Sequence, residues 1–337
     1  MIFAVMSQKI PMFLNNIQKP WKILAPMVSN SDEAFRLLVK RYGADLCYTE
    51  MVHCRVFNDS NANIVNNQWF TTSKADRPLV IQLCGNDPEI MLKTCIKLQT
   101  LCDAFDLNFG CPQEIARKGN YGAWLMEDFV LIEKIVKTLS ENIKVPLFCK
   151  IRVFESIEKT VEYAKLIEKA GCSLLTVHGR TREQRKEKTG YVSFEHIKAV
   201  KDALSIPVIS NGGVLVHEDI EMAIEKTGCD GVMVAEPILY IPTIFQSIEK
   251  RNIDVFKEYL EICKENKVMC RLKYIKSHAF KMLKSLLDCY EDLRIKLDKC
   301  HELNDFYNFL ESIETLDVDK KALKLKPYIR KCYLNDK

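Results

Sequence analysis

The sequence is most informative first in what it lacks. Its 14 cysteines include no Cys-x-x-Cys pair, so neither a zinc ribbon nor a close-spaced disulfide framework is indicated. Thiols scattered in this way point to a reducing compartment, and a cytoplasmic location is expected. No stretch approaches 18 uninterrupted apolar residues, which excludes a helical membrane span. The opening Met1–Phe13 has no basic segment leading into a clean apolar core, so it is a poor secretory signal. No Gly-x-Gly-x-x-Gly follows a strand pattern, which removes support for a Rossmann dinucleotide site. No internal repeat suggests a solenoid.

What remains is an ordinary globular balance, 47% hydrophobic and 28% charged, with a formal net charge of +4 over 337 residues. The charge is unevenly placed. From Arg251 to Lys337 there are 19 Lys+Arg against 15 Asp+Glu, and the rest of the chain is balanced. A basic tail beside a neutral body suits an anionic macromolecule, or simply a solvated lysine-rich helical face.

Short apolar runs recur at Lys22–Val28, Leu46–Met51, Leu79–Cys84, Ala104–Phe109, Pro146–Val153, Leu174–His178, Pro207–Ser210 and Gly231–Ala235. Most gaps between them carry helical spacing, as in Asp32–Tyr42, Pro88–Leu101, Leu125–Asn142, Ile157–Ala170, Phe194–Ala203 and Val216–Lys226. The second gap, Cys54–Asp76, reads as a polar Asn-rich loop. Eight strands alternating with helices require parallel crossovers, and near-continuous apolar strands favour closure. The expected fold is α/β, a (β/α)8 TIM barrel over residues 22–250. It follows an N-terminal extension, 1–21, and precedes a smaller all-helical domain, 251–337. A single helix is expected over Lys267–Leu286, with Val268, Leu272, Ile275, Ala279, Met282, Leu283 and Leu286 on its apolar face.

Active sites of parallel barrels lie at the C-terminal ends of the strands. Polar groups gather there. Asn108-Phe109-Gly110-Cys111-Pro112 follows the fourth strand, and a thiol between Gly and Pro on a loop can act as nucleophile or proton donor. Alternation sends Lys150 and Arg152 to one face, toward an anionic or polar ligand or toward an acid of the barrel. His178 and Arg180 follow the sixth strand, and Asn211-Gly212-Gly213 the seventh. Ala235-Glu236 follows the eighth. The last two loops are the usual phosphate site of this architecture. Pro26, Met27 and Val28 end the first strand and Gln82 lies in the third, where they can line a flat ring or simply fill the barrel.

Taken in order and spacing, these motifs resemble the tRNA-dihydrouridine synthase family from about Ile23 to Phe245. The run through Cys111-Pro112-Gln113, Gly119–Ala123 and Lys150–Phe154 is most similar to the eukaryotic 16/17-type subfamily. Ala235-Glu236 departs from the Gly-Arg pair of the bacterial branches and leaves the phosphate there to backbone amides. The resemblance implies FMN against Pro26, Met27 and Val28, contacted by Gln82, Lys150 and His178. Its phosphate end would lie at Asn211, Gly212, Gly213, Ala235 and Glu236. NADPH or NADH is the implied reductant. Hydride would pass to C6 of a D-loop uridine, Cys111 would protonate C5, and Asn108 would help hold the uracil.

The implied partner is tRNA. Arg152 and Arg180 would lie near the base. Arg182, Arg185, Lys186 and Lys188, with Lys267, Arg271, Lys273, Lys276, Lys281 and Lys284 in the tail, would meet phosphates. The loop Gln113–Tyr121 would close over the site. A monomer without membrane or metal is expected. Two other readings remain: an FMN barrel reductase of a small molecule, and a tRNA-binding protein without redox chemistry.

Overall fold

The computed structural model describes residues 11–59, 69–185, 188–265 and 271–328. The strands are β1 (Trp21–Leu24), β2 (Leu46–Tyr48), β3 (Val52–His53), β4 (Leu79–Cys84), β5 (Ala104–Phe109), β6 (Leu147–Arg152), β7 (Leu174–His178), β8 (Val208–Asn211) and β9 (Gly231–Val234). All pairings in the sheet are parallel, and β2 pairs with both β1 and β4 while β9 pairs with β1. The sheet therefore closes into an eight-stranded barrel. The two-residue β3 lies beside the end of β4, with Val52 opposite Leu83 and His53 opposite Cys84.

The crossovers are α1 (Glu33–Arg41), α2 (Cys54–Asp59), α3 (Pro88–Leu98), α4 (Glu114–Lys118), α5 (Phe129–Asn142), α6 (Ile157–Lys169), α7 (Phe194–Ala203) and α8 (Glu218–Thr227). Side-chain caps set several of their starts. Asp32, Asp87, Asp128, Ser156 and Ser193 each accept a backbone N–H of the first turn. The Asp128 cap explains why α5 begins at Phe129 instead of Leu125.

The loop expected over Cys54–Asp76 is corrected in part: it opens with α2 and closes with a 3-10 turn at Lys74–Asp76. Asn58 ties α2 to α3 through Thr94 Oγ1 at 2.7 Å. The fully buried pair Arg36–Asp76, 2.6 Å apart, fastens the end of the segment to α1.

Among the described residues four further helices of two turns or more follow the barrel, α9 (Asn252–Glu265), α10 (Leu272–Met282), α12 (Glu291–Asp298) and α13 (Leu303–Glu314), with the short α11 (Lys284–Leu287) between α10 and α12. The single helix expected over Lys267–Leu286 is thus two, broken at Leu283. Residues 266–270 lie outside the described part. Phe35, Leu38 and Val39 of α1 share one buried cluster with Phe256, Tyr259 and Leu260 of α9 and with Phe306 and Leu310 of α13. The barrel interior is a separate cluster that includes Trp21, Ile23, Leu46, Val80, Phe148, Leu174, Ile209 and Met233. Leu14 joins it from below, and Trp21 Nε1 donates to Ile17 O at 3.1 Å. Residues 11–17 therefore plug the N-terminal end of the barrel.

Candidate active site

Register places the inward polar residues in successive tiers toward the C-terminal mouth. Gln82 lies opposite Asp106, Asn108 opposite Lys150, Arg152 opposite His178, and His178 opposite Asn211. Hydrogen bonds link five of them in two groups. Gln82 Nε2 donates to Asp106 Oδ2 at 2.8 Å, and Asn108 Nδ2 donates to Gln82 Oε1 at 2.9 Å. Lys150 Nζ donates to Asn211 Oδ1 at 2.7 Å, while Asn211 Nδ2 donates to Met233 O at 2.8 Å. An acid does answer the inward cations. Burial pushes the Asp106 carboxyl up to about 7, against the Gln82 hydrogen bond and the Lys150 charge. Burial and the neighbouring Arg152 push Lys150 down to about 8, against Asp106. Asp106 Oδ1 is buried without a hydrogen-bond partner. Sequence reasoning passed over Asp106, although an acid two residues before Asn108 in an otherwise apolar strand must share its inward face.

Asn108 acts on the loop that follows it. Its Oδ1 accepts the backbone N–H of Gly110 at 3.1 Å and of Cys111 at 2.9 Å. The carbonyl end of its amide is therefore occupied in placing Cys111. Of the twelve described cysteines ten are buried, Cys289 is exposed, and Cys111 is half-buried. Gly122 packs against Cys111 with φ of +67°, and a Cβ there would stand 2.7 Å from Cys111 O. Only glycine fits that approach. Arg152 holds the loop from the other side, donating to Gly110 O at 2.8 Å and to Thr181 O at 2.7 Å. Its place is structural as well as at the mouth. Arg180 NH1 lies 3.1 Å from His178 Nε2, and because a guanidinium can only donate, that nitrogen accepts.

A cavity of about 1090 Å³ opens over β6 to β9. It brings together Arg152, His178, Arg180, Asn211, Gly212, Gly213, Ala235 and Glu236, and reaches Pro112 and Gln113 beside Cys111. Gly212 has φ of +94°, and a Cβ on it would meet the His178 ring at 3.1 Å and Val192 at 2.8 Å. Backbone amides can approach a phosphate there where side chains could not. Gln82, Lys150, Pro26, Met27 and Val28 lie outside that lining; Val28 is 61% exposed beside the mouth. The dimensions and the mixture of cations, glycines and open apolar surface fit a phosphorylated planar cofactor. Tyr328, also overlooked, lines the same cavity and stacks on Tyr240 with centroids 5.2 Å apart. It arrives from the tail, so no local motif announces it.

The expected phosphate contacts divide. Arg182 and Arg185, with Arg117 of α4, crowd the Trp124 ring at 4.8, 5.5 and 5.6 Å. Lys188 and Lys273 are exposed. Lys276 Nζ donates to Asp298 O, and Lys281 Nζ to Asn30 Oδ1 at 2.9 Å, so both turn toward the protein. Lys284 pairs with Asp288. Arg271 stands at the N-cap position of α10 without a capping side-chain hydrogen bond. Lys186 and Lys267 lie outside the described residues.

A closed parallel barrel with a polar C-terminal mouth, a thiol on a Gly-Cys-Pro loop and a glycine-lined cavity defines the class of α/β barrels whose site lies at the C-terminal ends of the strands. The dihydrouridine synthase family matches residues 23–331, and the chain belongs to that family. It is 43% identical over 305 residues to the mouse (Mus musculus) tRNA-dihydrouridine(16/17) synthase-like protein, whose name carries NAD(P)(+), covering 90% of this chain and 62% of that protein. The chain therefore spans less than two thirds of that relative's length. It is also 43% identical to the Schizosaccharomyces pombe tRNA-dihydrouridine(16/17) synthase, with 88% and 77% covered. Against the human tRNA-dihydrouridine(20a/20b) synthase-like protein identity is 35%, with 72% and 76% covered.

Proposed function

We propose that this protein is a tRNA-dihydrouridine synthase that reduces the C5–C6 bond of D-loop uridines of the 16/17 type with NAD(P)H, through bound FMN. The observation that carries the reading is the placement of Cys111. It is the one half-buried thiol among the described cysteines, and Asn108, Arg152 and Gly122 fasten its loop beside the cavity. The higher identity to 16/17-type relatives than to the 20a/20b-type relative supports the position.

Gln82, Lys150 and His178, with Met27 and Val28, would hold the ring and ribityl portion of FMN. Asn211–Gly213 and the Ala235–Glu236 backbone would hold its phosphate. Bound there, with NAD(P)H as the reductant, FMN would supply the hydride for C6 of uracil. That addition builds enolate character on the conjugated carbonyl, and the Cys111 thiol delivers its proton to C5. A uridine folded into the tRNA elbow must turn outward to reach the mouth. Arg182, Arg185 and Arg117 around Trp124, with Lys188 and Lys273, meet backbone phosphates and fix the substrate's position without reading its sequence. Among the described residues no helix is long and apolar enough to cross a membrane.

Purified protein incubated anaerobically with NADPH and unmodified tRNA tests this directly. A flavin spectrum, tRNA-dependent reoxidation and dihydrouridine by mass are expected. Turnover of flavin without dependence on tRNA would replace the reading with reduction of a small molecule.

A further inference from the structure

One face of α10 does not point to solvent or into the apolar core. Tyr274, Ser277, His278 and Lys281 stand at i, i+3, i+4 and i+7, a single stripe of the helix. Each has a polar partner on the loops that follow the first two barrel strands. The Tyr274 hydroxyl is hydrogen-bonded with Glu50. Ser277 Oγ and Lys281 Nζ each donate to Asn30 Oδ1 at 2.9 Å. His278, fully buried and stacked on Phe35 at 4.3 Å, bonds Asp32 Oδ1 through Nε2 at 2.6 Å.

The segment these partners hold is under strain. Ser29 has φ of +59°, a left-handed conformation that a residue with a Cβ adopts only where its surroundings impose it. Its N–H donates to Glu50 Oε2 at 2.7 Å, the same carboxylate that Tyr274 meets. Asn30 and Asp32 follow at once, and Asp32 also caps α1 through Phe35 N. Met27 and Val28 lie immediately before Ser29.

We infer that the polar face of α10 is a positioning surface for the cofactor. It holds the Met27–Ser31 backbone in its strained form, so that a flavin resting on Met27 and Val28 is retained only as firmly as α10 is docked. The inference rests on the proposed FMN site. The C-terminal helices then contribute to the flavin cradle as well as to any grip on RNA.

The test compares flavin dissociation, followed by the fluorescence of released FMN in the absence of tRNA, among wild type, Tyr274→Phe, Ser277→Ala/Lys281→Met and Lys281→Arg. Loss of both hydrogen bonds to Asn30, shared between the loop and the flavin, predicts roughly tenfold weaker FMN binding in the double variant. Tyr274→Phe, which keeps the ring and its packing, should weaken FMN by a few-fold, and Lys281→Arg should stay near wild type. Hydrogen exchange at residues 27–31 of the cofactor-free protein should quicken in step. FMN affinity and exchange both unchanged in Tyr274→Phe and in the double variant would overturn the inference and leave the functional reading intact. A wild-type protein that binds no flavin would overturn both.

Discussion

Phe148 and Lys150 point into the same barrel from the same strand, two residues apart, and the difference between them is the difference between the two ends of the molecule. At the N-terminal end Trp21, Leu46, Ala104, Phe148 and Leu174 fill the interior with apolar atoms, and Leu14 closes it from below. At the C-terminal end Gln82, Asp106, Asn108, Lys150 and Asn211 replace them with a hydrogen-bonded network. Within it Asp106 Oδ1 is buried with no hydrogen-bond partner in the protein. Unmatched buried polar atoms each cost free energy that the apolar end must offset. One end therefore carries stability, and the other holds reactive groups in place at a cost.

The largest effect that separates the ends is expected from Phe148→Ala. The side chain is fully buried, and Phe13 lies against it at 6.4 Å. A cavity of that size should remove about 3–5 kcal/mol of stability in chemical denaturation. Molecules that remain folded should bind flavin and tRNA as wild type does. A Phe148→Ala protein of normal stability but weakened flavin binding would break the division between the ends.

Cys111→Ala probes the other end and should do the reverse. Loss of a positioned acid predicts a fall of about 100-fold or more in dihydrouridine formed per unit time. The flavin spectrum, tRNA affinity and unfolding midpoint should barely change, because the loop is held by Asn108, Arg152 and Gly122 and not by the thiol. Single-turnover mass analysis of the tRNA separates this from failed binding.

The same contrast explains what the residues disclosed before any coordinates. The apolar ends of the strands were legible because burial on both faces of a parallel strand leaves a continuous hydrophobic run, as in Leu79–Cys84 and Ala104–Phe109. The polar residues at the mouth stood out as interruptions of those runs. Contacts between distant segments were not legible. Asp106 draws its meaning from Gln82, 24 residues away. Tyr328 reaches the cavity from the tail, and Lys281 turns inward to Asn30, 251 residues distant. The helix Cys54–Asp59 was hidden in a polar stretch because its stability comes from Thr94 and Ile90 on α3 and not from its own composition.

A smaller and more discriminating effect concerns pH. Lys150 is drawn down to about 8 by burial and by Arg152, while Asp106 and Cys111 act to raise it. Activity that depends on the Lys150 charge should therefore fall as pH rises through about 8. In Asp106→Asn the raising carboxylate is gone, Lys150 loses its proton sooner, and the falling limb should move to lower pH.

Stability follows its own signs. The Lys150 pKa is depressed on folding, so between about 8 and its ordinary 10.5 the unfolded chain holds the extra proton and folding strengthens as pH rises. The Asp106 pKa is raised, so between its ordinary 3.8 and about 7 the folded chain holds the extra proton and stability is lost as pH rises. Asp106→Asn should abolish that lower window, flattening the dependence of unfolding free energy on pH between 4 and 7, and still shift the activity limb. A variant that flattened the first without moving the second would mean that the carboxylate bears only on folding, and that Lys150 takes its charge state from groups other than Asp106.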